Sequence, residues 1–182
     1  VHLYDLNFKG CVSCFACKRI GSPSYGKCAY KDELTPILEK VEHVDALLLG
    51  SPIYLGAATG AMRSFLERLI FQYLVYDENY SSLFKGKIST AILYTMNVNE
   101  DRKKLSGYDQ HLQITEMMLR RTFGSAESLF VTDTYQFDDY AKYVVTAFDP
   151  VAKAKRRNDQ FPLDCQKAFD LGVRLVTASA TV

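Results

Sequence analysis

The chain has 182 residues, enough for one domain with a substantial core and too few for two. Hydrophobic residues make up 48% and charged residues 24%, a globular composition that excludes extended disorder. With 22 basic and 21 acidic side chains the formal charge is +1, so no electrostatic footprint points to nucleic acid or an anionic membrane.

No apolar run is long enough to span a bilayer, and the first residues do not form a signal peptide. The cysteines are odd in number, and all but one cluster between positions 11 and 28. That usage suits a reducing, cytoplasmic setting better than a secreted disulfide framework. The expectation is a single domain over residues 1–182.

Taken in order, "VHLYDL" alternates apolar and polar residues and reads as a strand entering a loop. The cysteine segment follows, broken by Gly21, Pro23 and Gly26. A helix starts near Asp32 or Thr35, with Pro36 in its first turn and Leu34, Ile37, Leu38 and Val41 as its apolar stripe. "VDALLLG", residues 44–50, is a short apolar run expected to be buried on both faces. "SPIY" then turns the chain into an amphipathic helix, whose stripe includes Ala57, Ala58, Met62, Phe65, Leu66, Leu69 and Tyr73. Arg63, Glu67 and Arg68 fall on its other, solvent-facing side.

"ISTAILYTM", residues 88–96, is a second buried strand, and residues 108–123 form a helix stopped by Gly124. "ESLFVTDTY" is a further strand. A loose polar stretch containing Lys153–Arg157 follows, and the last helix starts at Asp164 with Cys165, Ala168, Phe169, Gly172, Leu175 and Val176 on one face. Cys165 reads as a small buried hydrophobe. Apolar strands alternating with helices specify a doubly wound α/β sheet, parallel and covered on both sides. In such sheets a ligand sits beyond the carboxyl ends of the strands, here "NFKGC", "SPIYLGA", "YTMNVN" and "TDTYQF". The cysteine loop is expected among those tips.

The residues "GCVSCFACK…GKCAYKDEL", followed by "VDALLLGSPIYLGAATGAMRSFLERL", resemble the flavodoxin-like NAD(P)H-dependent FMN reductases, and among them the branch of iron–sulfur flavoproteins. That resemblance implies a five-stranded sheet of order 2-1-3-4-5 with FMN at its carboxyl edge. It also implies a homodimer or higher homo-oligomer. Ser51, Pro52, Ile53, Tyr54, Leu55 and Gly56 would meet the flavin ring, and Tyr94, Thr95, Met96 and Asn97 would flank it from the next strand. The activity implied is an FMN-dependent oxidoreductase fed by NAD(P)H. The alternative is an electron-transfer flavoprotein acting between redox protein partners. No residue here matches the family's first strand and phosphate loop. The domain is therefore expected to be incomplete at its N-terminus, with an inner strand missing between "VHLYDL" and "VDALLLG".

Three readings of Cys11, Cys14, Cys17 and Cys28 stay open. The C-x2-C repeats suit a [4Fe–4S] cluster, since a loop wrapping a cubane offers a thiolate about every third residue. Lys9, Lys18, Arg19 and Lys27 would offset its charge. Four thiolates also suffice for structural zinc, although two separated knuckles are the usual pattern. The third reading is free thiols. His2, His43 and His111 share no ligand spacing, and neither a hydrolase nucleophile turn, a GxGxxG run nor a P-loop occurs.

Overall fold

In the computed structural model, which describes residues 1–179, three apolar runs become parallel strands. They are β1 (Ala46–Tyr54), β3 (Ile88–Thr95) and β4 (Gly124–Val131), and a two-residue strand β2 (Ala57–Ala58) gives the order β2-β1-β3-β4. β3 is the central strand and is buried along almost all its length, as a parallel strand covered on both faces should be. The helices are α1 (Thr35–Val41), α2 (Gly60–Phe71), α3 (Glu100–Leu105), α4 (Tyr108–Phe123) and α5 (Pro150–Ser179). The larger core joins α1, α2 and α4 to one sheet face through Leu38, Phe65, Leu69, Ile92, Leu119 and Phe123. A smaller one seats Leu171 and Leu175 of α5 on Ala91, with Ala46 and Leu129 beside them, on the other face. The architecture is the expected three-layer α/β sandwich.

Several local expectations are corrected. "VHLYDL" is not a strand: Asp5 N–H bonds His2 O at 3.1 Å and Leu6 N–H bonds Leu3 O at 3.3 Å, closing a 3-10 turn over Leu3–Asp5. Leu3 and Leu6 both pack on the core from that turn; three-residue spacing serves a 3-10 turn as well as alternation serves a strand. Among the described residues the sheet therefore has three parallel strands rather than the four expected of this chain, and is not split around a gap. On its β1 edge, among the described residues, only Ile53 and Tyr54 are paired, with the short β2, and residues 46–52 carry no strand. Leu48 stays 52% exposed, so β1 is not buried on both faces as expected.

"SPIY" is the end of β1 rather than a turn. The reversal comes at Leu55 (φ 51°) and Gly56 (φ 81°), after which Tyr54 pairs with Ala57 and Ile53 with Ala58. Two consecutive positive φ values make the tight hairpin whose twist suits its flanking strands. Thr59 then caps α2, its Oγ1 accepting from Met62 N–H at 3.3 Å. At the far end of the chain, α5 begins at Pro150 instead of Asp164 and tolerates Pro162 inside it. Its inward stripe contains Asp164, Leu171 and Leu175, leaving Cys165, Phe169 and Val176 exposed.

Candidate functional site

The carboxyl rim of the sheet is built chiefly from backbone. In the β1–β3 register Ser51 lies opposite Tyr94 and Pro52 opposite Thr95, so both predicted segments are neighbours at the strand ends. Ser51 is buried and accepts from Thr59 N–H at 3.1 Å, which ties the end of β1 to the start of α2. Pro52 and Tyr54 are exposed, Tyr54 by 61%, and Leu55 and Gly56 form the hairpin tip. Gly56 sits against the ring of Tyr108, at the start of α4, where an added Cβ would come within 3.2 Å.

Tyr94 points into the core. It is fully buried and stacks on Phe130 with ring centroids 5.6 Å apart. Burial pushes its hydroxyl pKa up, while neighbouring Thr115 works the other way. Its side chain thus serves packing, and only its backbone reaches the rim. Met96 is buried too; its N–H bonds Val131 O at 2.9 Å and its carbonyl accepts from Thr134 N–H at 3.1 Å. Asn97 O accepts from Lys153 Nζ at 2.8 Å, and Asn97 Oδ1 is buried with no donor among the described residues.

Lys153 was expected in a solvated loop. Instead its side chain is buried on α5, bonding Asp133 Oδ1 and the carbonyls of Asn97 and Thr134. It locks together the loops that follow β3 and β4. Thr95 also borders a cavity of about 250 Å³ on that side, lined in part by Tyr135, Arg157 and Phe161.

The cysteine loop lies elsewhere, and this corrects the expectation that it joins the strand tips. Its grip comes from the carboxyl half of α2 and the residues just after it. Cys11, Cys14, Cys17 and Cys28 line one small cavity of about 20 Å³, with Arg68, Phe71 and Gln72 on the opposite wall. From Gly60 to Glu67 and Gln72 the helix axis rises roughly 10–18 Å, so the pocket stands well away from the hairpin tip within one chain. Left-handed backbone at Ser13 and Phe15 (φ 53° and 55°) brackets Cys14, and Gly26 N–H bonds Cys17 O at 3.0 Å to close the loop.

α2 holds this loop through specific side chains. Glu67 accepts from Cys11 N–H at 3.1 Å, and Gly10 approaches so closely that an added Cβ would lie 2.5 Å from the Glu67 carboxylate. Gln72 Oε1 accepts from Cys28 N–H at 2.9 Å. Arg68 was expected on an exposed face, yet its side chain is only 1% exposed. Its Nε donates to Cys28 Sγ at 3.3 Å, one Nη to Asp32 at 2.6 Å and to Lys9 O, and the other to Tyr30 O at 2.7 Å.

Burial opposes the charge on both partners of this pair. For Asp32 the hydrogen bonds from Arg68 and from the N–H groups of Lys9 and Leu34 prevail and hold its carboxyl below the usual range. For Arg68 the acceptors Asp32 and Cys28 prevail and raise its pKa.

Of the cations proposed to offset thiolate charge, Lys18 stands beside Cys17 but is committed to the carbonyls that end α2, at Phe71, Gln72 and Leu74. Burial lowers its pKa, and burial likewise raises that of Cys17, with Lys18 opposing. Lys27 pairs with Glu42 at the surface. Arg68 thus supplies the positive charge that sequence reasoning assigned to loop lysines. Its one available signal was that neither Ser64, Phe65, Phe71 nor Gln72 offers it a carboxylate at helical spacing, so its ion partner had to be distant in sequence.

Among the described residues no three His, Cys, Asp or Glu side chains are gathered closely enough to hold a single metal ion. The thiolates around a cubane stand wider apart than those around one ion, and the donor set here suits a sulfur-ligated centre. Four thiols share one cavity, an Arg donor already meets one sulfur, and Gln72 Nε2 is a buried donor with no acceptor. At the rim, the unpartnered Asn97 Oδ1 and the exposed hairpin tip suit the polar edge and face of a flat heterocycle.

Fold and rim together define a flavodoxin-like α/β domain. A solved NAD(P)H:quinone oxidoreductase from Methanothermobacter marburgensis shares this fold, with a TM-score of 0.50 at 11% identity over 80% of this chain and 74% of that one. Residues 1–135 match the family of NADPH-dependent FMN reductases, and the chain belongs to that family. Over 68 residues it is 35% identical to an iron-sulfur flavoprotein of Archaeoglobus fulgidus, covering 37% of this chain and 31% of the relative. It is 31% identical to iron-sulfur flavoprotein MJ1083 of Methanocaldococcus jannaschii, covering 37% and 33%. The chain thus spans about a third of the length of these curated relatives. No helix among the described residues is long and apolar enough to cross a membrane.

Proposed function

We propose that the chain is an FMN-dependent oxidoreductase that draws electrons from NAD(P)H and delivers them to a small-molecule or protein acceptor, with Cys11, Cys14, Cys17 and Cys28 holding a [4Fe–4S] cluster. FMN, when bound, supplies the hydride acceptor and hands the electrons on. The residues do the positioning. Tyr54, Leu55 and Gly56 offer a fixed, exposed backbone edge, Asn97 Oδ1 an acceptor for a ring N–H, and Lys153 the lock that keeps the Asn97 loop in place. No side-chain acid or base is needed, in keeping with a rim made of backbone.

The observation that carries the flavin assignment is the pairing of Pro52 with Thr95, which sets both ring-binding segments side by side at the carboxyl edge. The shared cavity of the four thiols supports the cluster. Because the two places are separated along α2, the flavin and the cysteine pocket would not touch within one chain. Exposed Phe169, Val173 and Val176 on α5 favour a homo-oligomer.

Titration of the chain with FMN, followed by anaerobic addition of NADPH or NADH, tests the flavin reading. Saturable quenching of flavin fluorescence and bleaching of the bound flavin within seconds are expected. A chain that leaves FMN fluorescence unchanged at high protein excess would remove it.

A further inference from the structure

We infer that Gln72, with Arg68 one turn before it on α2, is a hydrogen-bond donor that sets the reduction potential of a sulfur-ligated centre in the cysteine pocket. This deepens the cluster reading and rests on it. Gln72 is 4% exposed and lines the same cavity as the four thiols. Its Oε1 is committed to Cys28 N–H, which fixes the orientation of the amide and leaves Nε2 as the free end. That Nε2 is buried with no acceptor among the described residues. A buried amide N–H without a partner is unfavourable and rare, and calls for an explanation. A carboxamide needed only for its carbonyl would be served as well by a group without donors.

The acceptor that fits is sulfur carrying negative charge. Arg68 Nε already donates to Cys28 Sγ, so one donor of the pair faces sulfur in the chain as it stands. N–H groups aimed at cluster sulfurs stabilise the more negative, reduced state and raise the potential. Gln72 and Arg68, four residues apart, lie on one helix face and would present their donors together. Both are positioning residues, not ligands.

The test compares the chain with Gln72→Glu and Gln72→Met after anaerobic loading with ferrous iron and sulfide, by iron analysis and redox titration followed by EPR. Gln72→Glu keeps the acceptor for Cys28 N–H and loses the donor; Gln72→Met loses both without adding charge. Both are expected to hold the same iron per chain as the parent, with midpoint potentials lower by a tenfold change in the one-electron equilibrium, about 59 mV. Equal iron with unshifted potentials in both Gln72 variants overturns this inference and leaves the cluster reading standing. A parent chain that takes up no iron overturns both. Should Gln72→Met fail to fold, an unshifted potential in Gln72→Glu, where both the added charge and the lost donor push downward, still overturns the inference.

Discussion

The two ends of α2 serve two regions built on different principles. At its amino end, Thr59 and Ser51 join the helix to a hairpin whose shape comes from strand register and two positive φ angles. At its carboxyl end, Glu67, Arg68 and Gln72 reach into a segment with little regular structure and hold it atom by atom. A rim made of backbone tolerates side-chain change so long as the register survives. A loop held by buried polar side chains does not, because each lost partner leaves another group desolvated and unpaired. Substitutions of similar chemistry should therefore cost more at the cysteine end.

The largest effect is expected from Arg68→Met. It leaves Asp32 and two carbonyls without their buried donor, a loss of about 3–5 kcal/mol for a broken buried pair, read by urea unfolding of the chain. A loss under 1 kcal/mol would mean that the loop is not held through Arg68, and the contrast between the two ends would collapse. Asp32→Asn keeps the shape but weakens a charge-assisted contact, for about 1.5–3 kcal/mol at pH 7. Its pH dependence is the sharper readout. The folded-state pKa of Asp32 lies below its usual value, so the stabilisation is complete above the unfolded value of about 3.9. It is lost as pH falls through the lower, folded value. The gap between the parent and Asp32→Asn should close on acidification below about pH 4; a constant gap would assign the loss to packing.

The same division separates what is legible in the sequence from what is not. β3 was legible because a run such as "ISTAILYT" buried on both faces leaves nothing else for those residues to do. The tips of β1 and β3 met at one edge as expected, since neighbouring parallel strands end on the same side of the sheet. "VHLYDL" failed because Leu3 and Leu6 suit a turn and an alternating strand equally, and only the neighbours decide. α5 began fourteen residues before its expected start (Pro150 against Asp164) because Lys153 is buried by ion pairing and carries no apolar signal. The position of the cysteine pocket was illegible for the same reason: Arg68 and Asp32, which place it, are charged residues thirty-six positions apart.

At the amino end, smaller effects sharpen the contrast. Gly56→Ala forces a side chain into left-handed backbone and against the ring of Tyr108, for about 1–2 kcal/mol. A far larger loss would mean that the rim is as finely held as the cysteine loop.

Leu55 poses the last question. It adopts φ 51° with its side chain wholly in solvent, so it carries the strain of a left-handed residue and gains no packing within this chain. Asn adopts that backbone more readily, and Leu55→Asn should stabilise the chain by about 1 kcal/mol. An exposed, strained apolar residue at a proposed flavin rim makes sense if its side chain covers a ligand. The rise in melting temperature that FMN gives the parent should then shrink in Leu55→Asn, even as the ligand-free variant melts higher. If FMN raises both melting temperatures equally, Leu55 does not cover the flavin, and the strain at the hairpin tip belongs to the turn alone.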